Sequence, residues 1–573
     1  MKNFSKVALL CICLIIIAMF TTACGGSKAT PPSYPYFPTN NQANNNQNNE
    51  NNNQQENNNH QENNNQENNN EEAQVAPTEV TLTLTDSLQS DKIATADIFY
   101  AVEDNTKKSS AEDQEILKAE PNADDNTKFT VKVPDGIDFA KAKIKAILTY
   151  DSEGNLLDYF SSYNGIEATN GTFDVDFENS KDNKEGFGGG TGTDTDPFII
   201  SAPRHFANIN KYLDKHFKQK ADIDFSHLTG LKIVTADEDK EITIEKTNEK
   251  APFYNNGKGI NPIGATDIDL ESFQGNYDGY DHIIDGIIIV NSINDYIGLF
   301  PIAENATIQN LTIGENSIFF IDELKEGSVG SIQIGSISGC LRNSTIDKCQ
   351  NNSKILITNL DANYAYCVLN IHGIAFSQDG EDEYSTIKNC KNIGNITISN
   401  CKIETTADYG TKIRITSNYN NNTNNTNNTN KGNINITNNQ FSGGGNGSLT
   451  IKNSENKYTN TGHITIDNNT NLTGINININ EIYDDAGMND CTNDGHITIT
   501  NNKLDDGIDG DIDVIDFYAY SFSNCINNGN ILINGNSENY FIGRAMNILG
   551  GDGATNNGKV TFNGVKGEIN NYE

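Results

Sequence analysis

A short phrase recurs at regular intervals through the second half of this chain. Its copies include NCKNIGNITISN from Asn389, DCTNDGHITITNN from Asp490 and NCINNGNILINGN from Asn524. All copies align on a central glycine, and successive glycines lie 29 to 38 residues apart, at Gly394, Gly432, Gly462, Gly495, Gly529 and Gly558. An earlier copy from Cys349 carries Ser353 in place of the glycine. A period of this length is typical of repeat proteins, in which each repeat stacks on its neighbours.

Each copy contains a short strand between two corners. Apolar residues stand two and four positions after the glycine, and the first of these positions holds Ile396, Ile434, Ile464, Ile497 and Ile531. This alternation predicts a strand with one buried face. Asparagine stands two positions before the glycine, at Asn392, Asn430, Asn460, Asn493, Asn527 and Asn556. Asn and Gly both tolerate positive φ, so they predict a tight corner before the strand, and a second Asn after the strand predicts its exit corner.

A strand of this length buries little by itself, so the copies are expected to stack at roughly 4.8 Å per coil. Isoleucine ladders then fill the interior and asparagine ladders line the bends. The predicted fold is all-β, with a parallel β-helix (a β-solenoid of roughly 11–12 coils) spanning residues 188–573 and opening with a capping helix.

Cysteine stands four positions before the glycine, or before Ser353, in four copies, at Cys349, Cys390, Cys491 and Cys525. A column of disulfides or metal thiolates is one interpretation. The other is an interior ladder of small apolar residues, because Asn428, Tyr458 and Ala554 occupy the same position elsewhere, and a free buried cysteine behaves as a small hydrophobe.

The N-terminus predicts export and lipid anchoring. A positive start and an apolar run from Val7 to Phe20 are typical of a signal peptide. The sequence TTAC at its end resembles a bacterial lipoprotein signal, with Cys24 as the lipidated residue. Residues 1–23 are therefore expected to be removed. Residues 24–77 are rich in Asn, Gln and Glu and predict a disordered tether that joins the folded part to the membrane.

Charge excludes one class of partner. The chain has 40 Lys and Arg against 77 Asp and Glu, a formal net charge of −37. Such a surface repels phosphate backbones, so nucleic acid is not an expected partner.

Residues 78–183 show longer alternating strands. Phe129, Val131 and Val133 share one face, and the run from Ala142 to Tyr150 places an apolar residue at every second position. This spacing predicts a small antiparallel β-sandwich of immunoglobulin-like character, interpreted as a spacer, with a module that binds sugar or protein as the alternative. Beyond it, Ser201 is the expected N-cap of a helix that ends near Phe217.

Four segments carry a resemblance to a known family: GTDTDPFII from Gly192, ADIDF from Ala221, FQGNYDGYDHII from Phe273 and STIKNC from Ser385. Together they resemble the GLUG-repeat surface proteins, which are β-helical bacterial adhesins and peptidase-associated proteins. The resemblance covers Gly190 to about Ile313 well, and it implies a β-helix at the cell surface.

Few residues predict chemistry. The chain lacks an H-E-x-x-H zinc motif, a nucleophile elbow and a P-loop, so neither a cofactor nor a catalytic residue is expected. His463 and His496 share a repeat position and are expected to stack, as a metal pair or as exposed side chains. An acidic cluster makes Asp509, Asp511 and Asp513 a weak Ca²⁺ candidate, with a solvated loop as the alternative.

These features predict a lipid-anchored surface protein without catalysis, located in a bacterial envelope at the outer membrane or cell surface. Adhesion to host or matrix glycans or proteins is the expected role. A polysaccharide lyase or hydrolase is one alternative, because parallel β-helices also host such enzymes. An envelope structural protein that associates through the uncapped C-terminal end is the other.

Overall fold

A computed structural model describes residues 79–102, 116–134, 141–235, 242–265, 271–290, 295–323, 330–364, 367–377, 385–405, 411–416, 428–443, 447–452, 459–478, 480–482, 489–504, 511–514, 517–519, 523–534, 547–548, 555–563 and 570–571. All of them belong to one compact unit, Gln74–Glu573. Cys24, the tether of residues 24–77 and Asp509 lie outside the described residues.

Seven strands form the N-terminal sheet: β1 (Glu79–Thr85), β2 (Thr95–Val102), β3 (Leu117–Asn122), β4 (Asp125–Lys132), β5 (Ala142–Tyr150), β6 (Leu156–Glu167) and β7 (Thr172–Asp176). They pair in the order β6-β5-β2-β3-β4-β1-β7, and every pair is antiparallel except β1 with β7. Phe160 in β6 and Phe177 just after β7 bring the two edges together, with ring centroids 5.9 Å apart. The strands thus share one sheet, and an immunoglobulin-like pair of sheets stays a prediction.

Strand β5 buries both of its faces. Its register against β6 shifts between Ile144 and Ala146, which indicates a β-bulge that reverses the facing of the side chains. Ile144 and Ile147 pack in the core of the N-terminal sheet. Ala146, Leu148 and Tyr150 pack on the opposite side, against the stacked coils that follow. The regular alternation of apolar residues from Ala142 to Tyr150 therefore does not place them all on one face.

Parallel ladders of short strands build the rest of the unit, which confirms a solenoid-like all-β fold. The asparagine ladder has ten described strands: Ile223–Asp224, Ile283–Asp285, Thr312–Ile313, Gln350–Asn351, Lys391–Asn392, Thr429–Asn430, Thr459–Asn460, Asn489–Asn493, Ser523–Asn527 and Thr555–Asn556. The isoleucine ladder has nine: Ile288–Val290, Ile318–Ile321, Lys354–Thr358, Ile396–Ser399, Ile434–Thr437, Ile464–Asp467, Ile497–Thr500, Ile531–Asn534 and Val560–Asn563.

A third parallel ladder, here called the N-terminal ladder, runs along the first coils. Its described strands are Phe198–Ile200, His216–Gln219, Asn276–Asp278, Thr307–Gln309, Thr345–Asp347 and Thr386–Lys388. A fourth sheet contains Tyr296–Ile297, Gly330–Gly335, Cys367–His372, Thr411–Thr416, Gly447–Lys452, Thr470–Asn478, Gln440–Gly443, Lys402–Thr405 and Asp361–Tyr364, with Lys503–Leu504 and Asp511–Val514 paired to Thr470–Asn478.

Smaller sheets complete the strands. Phe300–Glu304, Ser338–Arg342 and Ala375–Ser377 pair in parallel, as do Asn480–Ile482 with Phe517–Ala519 and Asn547–Ile548 with Asn570–Asn571. Leu231–Thr235 and Ile242–Lys246 form an antiparallel hairpin. Short 3₁₀ turns occupy Ser90–Lys92, Asn179–Lys181, Ile209–Lys211 and Asn255–Gly257.

The helix near the start of the solenoid is shorter than predicted. Helix α1 spans Pro203–Asn208, and its N-cap is Ala202 rather than Ser201, without a side-chain cap. Proline at the first helical position favours this start because it lacks the N–H that a cap would satisfy. Phe206 of α1 is buried against Phe225 and Tyr277, so the helix closes the first coil with an aromatic side chain.

One apolar core runs through the coils. It begins at Phe187 and extends to Ile533 as a single cluster of buried side chains. The largest of them lie in the first coils and include Phe206, Phe217, Phe273 and Phe300, whereas isoleucine dominates the later ones. The interior thus begins with a cluster of aromatic side chains and continues as ladders of β-branched residues.

Candidate functional site

The predicted ladder residues lie in the interior, in register from coil to coil. The structure buries Asn392, Asn430, Asn460, Asn493 and Asn527, and with them Ile396, Ile434, Ile464, Ile497 and Ile531. Asn556 continues the asparagine column by its backbone pairing with Asn527, and its side chain is not among those described. The same column holds Ile223, Ile284 and Ile313 in the first coils and changes to asparagine at Asn351.

The buried amides form a directional chain. The side-chain nitrogen of Asn392 donates to the side-chain oxygen of Asn430 at 2.7 Å and also to the carbonyl oxygen of Gly394 at 3.2 Å. The same two bonds recur from Asn430, Asn460 and Asn493 toward the next coil and toward each residue's own glycine. Because each buried amide is satisfied, the column tolerates polar residues where the first coils use isoleucine.

A second buried ladder escaped the sequence analysis. Asn439, Asn469 and Asn502 are buried, and their amides bond from coil to coil at 2.9 Å. Cys401 occupies the same position one coil earlier, where its backbone N–H donates to Asn439. Each member directly follows an exit-corner asparagine with positive φ, so the paired letters NN were the available signal.

The central glycines serve close stacking rather than positive φ, so the predicted reason for them is wrong. No central glycine from Gly394 to Gly558 stands among the described positive-φ residues. Instead, a Cβ on Gly462 would lie 2.0 Å from the carbonyl oxygen of Gly432, and one on Gly495 would lie 2.0 Å from that of Gly462. The exit corners match the prediction, because Asn400, Asn438, Asn468 and Asn501 have φ of 54–58°.

The outward side of the isoleucine ladder changes character along the solenoid. In the first coils its middle column holds Val290, Phe320 and Leu356, and the hairpin Leu231–Thr235/Ile242–Lys246 covers these residues with its own apolar side chains. From the next coil the column reads Thr397, Asn435, Thr465, Thr498, Leu532 and Thr561. Where the apolar cover ends, the outer face becomes polar.

The stacked histidines behave as backbone acceptors. The rings of His463 and His496 are parallel within 15°, with centroids 5.0 Å apart. Nδ1 of His463 accepts from the backbone N–H of His496 at 3.0 Å, and Asn433 and Asn530 use their amide oxygens in the same way. Because Nδ1 of each ring accepts a backbone N–H, this nitrogen has no lone pair left for a metal.

The described cysteines are buried and form no disulfide, which favours the apolar-ladder interpretation. Cys340, Cys349, Cys390 and Cys401 are buried, and none of the four takes part in a disulfide. Burial raises the pKa of the Cys340 thiol to about 11 and that of Cys401 to about 12, which disfavours the reactive thiolate. Of Cys491 and Cys525 the structure describes only the backbone, and the two are in register in adjacent strands.

A serine, a histidine and an aspartate meet beside helix α1. Nε2 of His205 donates to Asp182 at 2.8 Å, and Nδ1 faces the Ser201 hydroxyl at 3.3 Å. This order is similar to a hydrolase triad. However, Nδ1 also accepts the Ser201 backbone N–H at 3.2 Å, the imidazole is 1% exposed, and Arg204 forms two bonds to Asp182. Burial lowers the pKa of His205. The cluster therefore fits a structural latch that joins Asp182, in the segment between β7 and the helix, to α1.

The N-terminal sheet packs firmly on the coils. Leu148 and Tyr150 share an apolar cluster with Leu228, Tyr254 and Ile288. The Tyr150 hydroxyl accepts a bond from Asn248 at 3.0 Å, and the rings of Phe99 and His227 stack at 4.9 Å. The sheet therefore packs on the side of the first coils, and its role as a spacer stays a prediction.

One exposed aromatic residue stands beside the N-terminal ladder. Tyr280 is 55% exposed, and the ammonium group of Lys218 lies 3.6 Å from its ring centroid. Tyr280 lies in the turn after the strand that contains Asp278. Asp278 belongs to an outward-facing column of paired residues: Ile199, Lys218, Asp278, Gln309, Asp347 and Lys388. In the sequence this turn contributes only to the family resemblance, and no pattern predicted an exposed aromatic residue there.

The acidic Ca²⁺ candidates stay a prediction, because Asp509 and the side chains of Asp511 and Asp513 lie outside what the structure describes. Asp511 and Asp513 lie in the strand Asp511–Val514, so this part of the cluster is a strand and not a loop. In the part of the chain that the structure describes, no group of three or more His, Cys, Asp or Glu residues is placed to hold a metal ion. Within the same residues, no helix is long and apolar enough to span a membrane.

Comparisons with known proteins give two partial similarities. The chain is 32% identical over 114 residues, 18% of its length, to a protein of Haloquadratum walsbyi named halomucin. It is 31% identical over 130 residues, 22% of its length, to a putative Gly-rich membrane protein of Evansella cellulosilytica. The matches span about 1% and 12% of those relatives. No family model and no solved structure matches the chain, so the resemblance to GLUG-repeat proteins stays a prediction.

Proposed function

We propose that the chain is an exported, lipid-anchored surface protein that holds a stiff solenoid away from the membrane and uses it for adhesion, without catalysis. The observation that carries this proposal is the single apolar core from Phe187 to Ile533. Coils that share one core cannot move independently, so the ten strands of the asparagine ladder act as a rod of about 43 Å at roughly 4.8 Å per step.

In this proposal the rod is a parallel β-helix of roughly 11–12 coils, preceded by a small immunoglobulin-like module. The docked N-terminal sheet and helix α1 protect the first coils from pairing with other chains. The name of the Evansella relative supports a membrane location, and the signal-like sequence before Cys24 supports lipid attachment.

Adhesion is favoured over catalysis by the character of the outer faces. Beyond the residues that the hairpin covers, the outward columns are half-exposed, mostly polar and repeated from coil to coil, which suits many weak contacts along one ligand or surface. The buried thiols with raised pKa and the latch at His205 do not provide an activated nucleophile. The proposed ligands are glycans or proteins of a host or matrix.

Protease shaving of intact cells, combined with fatty-acid labelling of wild type and Cys24→Ala, tests the location. We expect labelled protein that protease removes from whole cells, and no label on Cys24→Ala. Protein that is labelled but protected from protease would contradict surface display. Adhesion itself is tested by binding of the purified chain to arrays of matrix proteins and glycans, and absence of any saturable binding would count against it.

A further inference from the structure

Tyr280 combines an exposed ring with a backbone conformation that tyrosine rarely adopts. Its φ is 51° and that of Asp281 is 64°, so two consecutive residues with side chains lie in the left-handed region. That region is unfavourable for residues with a Cβ. At 55% exposure the ring also forgoes most of the burial that an aromatic side chain can gain. A strained and exposed aromatic residue is a candidate for function.

The neighbouring coil fixes the turn that carries this ring. The backbone N–H of Tyr280 donates to Oδ1 of Asp278 at 2.9 Å, and Oδ1 also accepts from the Asn310 side chain at 2.9 Å. Gln309 donates to the other oxygen of Asp278 at 2.9 Å. The N–H of Asp281 donates to the carbonyl oxygen of Asn310 at 3.1 Å. A ring held in this way loses little conformational entropy when it contacts a ligand.

The surroundings of the ring combine an apolar plate with polar groups. Lys218, from the preceding coil, places its ammonium group 3.6 Å from the ring centroid, a cation–π contact that fixes the ring on one side. Asp278, Gln309 and Asp347 continue the same half-exposed outward column across three further coils. An aromatic plate beside a row of hydrogen-bonding side chains suits a ligand that has an apolar face and polar edges.

We propose that Tyr280 is the platform of a glycan-binding subsite. A pyranose ring would stack its C–H face on the tyrosine, and its hydroxyl groups would bond to the column that starts at Lys218. The net charge of −37 repels anionic polymers, so the favoured ligand is a neutral glycan. This inference rests on the proposed adhesive function and adds the ligand class and the contact residue.

The chain contains no tryptophan, which makes a sharp test available. Tyr280→Trp places the single tryptophan of the chain at the subsite, where it can be excited at wavelengths that the tyrosines do not absorb. Ile393→Trp places a matched control at another exposed position, 38% exposed. Both purified full-length variants are titrated with hexasaccharides of β-linked glucose, galactose and N-acetylglucosamine. We expect a saturable spectral shift for Tyr280→Trp with at least one of these glycans and none for Ile393→Trp.

Calorimetry with the same glycan measures the contribution of the ring. For Tyr280→Ala we expect affinity weaker by on the order of tenfold, the effect of losing one aromatic stacking contact. Tyr280→Gly separates binding from stability, because glycine relieves the left-handed strain. Its thermal midpoint should be no lower than that of wild type, although its glycan affinity falls as much as that of Tyr280→Ala.

Two outcomes overturn the subsite and leave adhesion standing. One is unchanged glycan affinity in Tyr280→Gly. The other is no saturable binding of any of the three hexasaccharides while the chain still binds a matrix protein, which would assign adhesion to a protein partner. Failure of the proposed function is a different result, namely protein that is protected from protease on intact cells and binds nothing on either array.

Discussion

The hydroxyl group of Ser353 donates to the side-chain oxygen of Asn351 at 2.5 Å, and its backbone N–H donates to the same oxygen at 3.0 Å. In later coils, the equivalent oxygen accepts from the asparagine of the preceding coil. Asn351 has Ile313 before it in the column, which offers no donor. Ser353 therefore begins the ladder by supplying the bond that a preceding amide supplies elsewhere.

Ser353→Ala should lower the free energy of unfolding by about 0.5–1.5 kcal/mol, the net value of one hydrogen bond. The backbone N–H still donates to Asn351, so the ladder is weakened at its start and not broken. Chemical denaturation measures the change. An equal loss in a control, Ser87→Ala, whose hydroxyl bonds to Asp158 at 3.3 Å in the N-terminal sheet, would argue against a special role for Ser353.

Asn460→Asp should destabilise the coils strongly at neutral pH. The amide of Asn460 donates to Asn493 and Gly462, and a carboxylate of the same shape cannot donate. A buried charge that faces two acceptors should cost about 3–5 kcal/mol.

Thermal melts of this variant at several pH values provide the check, because a protonated carboxyl regains one donor and stability should recover in acid. Asn468→Asp is the matched control at an exposed corner, where aspartate also tolerates positive φ. A loss for Asn468→Asp as large as that for Asn460→Asp would contradict the role of the buried amide.

Gly495→Ala should force adjacent coils apart. The added Cβ would lie 2.0 Å from the carbonyl oxygen of Gly462, so the backbones must separate at an expected cost of about 1–3 kcal/mol or more. Hydrogen–deuterium exchange should show faster exchange in the strands on both sides. Gly171→Ala is the control, since its Cβ meets no atom within 4 Å and only its φ of 76° is unfavourable. Similar exchange in both variants would refute the close-approach argument.

Leu148→Ala should destabilise the interface between the N-terminal sheet and the coils. The side chain is fully buried there, and its truncation should cost about 2–5 kcal/mol. If the sheet caps the coils, calorimetry should show that both parts lose stability together. Leu88→Ala, at a residue that is 52% exposed, should stay within about 0.5 kcal/mol of wild type. A loss confined to the N-terminal sheet would contradict the capping role.

Acid should weaken the fold through His372. Complete burial lowers its pKa to about 3, whereas an imidazole in the unfolded chain titrates near 6.5. Between these values the unfolded chain binds one more proton, so the free energy of unfolding falls as pH falls from about 6.5 toward 3.

His372→Gln removes this contribution and should flatten the pH dependence of stability measured by denaturation. Burial also lowers the pKa of His205 and His227, so part of the slope should remain. An unchanged slope in His372→Gln would contradict the assignment.

The solenoid could be predicted from local patterns because each copy of the repeated phrase contributes to both the asparagine ladder and the isoleucine ladder. The alternation around Ile464 and Ile466 correctly predicts a strand and which of its side chains are buried. The asparagines after the strand correctly predict a corner with positive φ. The reason for Gly495 could not be read in this way, since the clash that excludes a side chain comes from the preceding coil.

The candidate binding site was harder to predict for a related reason. Exposure of Tyr280 depends on a turn that Asn310 and Asp278 hold from two different coils, and the lysine over its ring comes from a third. The bulge in β5 could not be read from the apolar alternation. A shift of one residue in the register sends the alternating side chains into two different cores. Both features arise from contacts between segments that are distant in sequence.

The directional chain of amides makes coils interchangeable. Asn430 donates to Asn460, and Asn460 donates to Asn493, through the same pair of side-chain atoms. Each amide also donates to the carbonyl oxygen of the glycine two residues later. A tandem duplication of the segment that carries Asn460 would meet an identical acceptor below and an identical donor above. Gene copies that differ by whole coils would then encode rods of different reach with one unchanged interior, so the length of this protein can evolve in discrete steps.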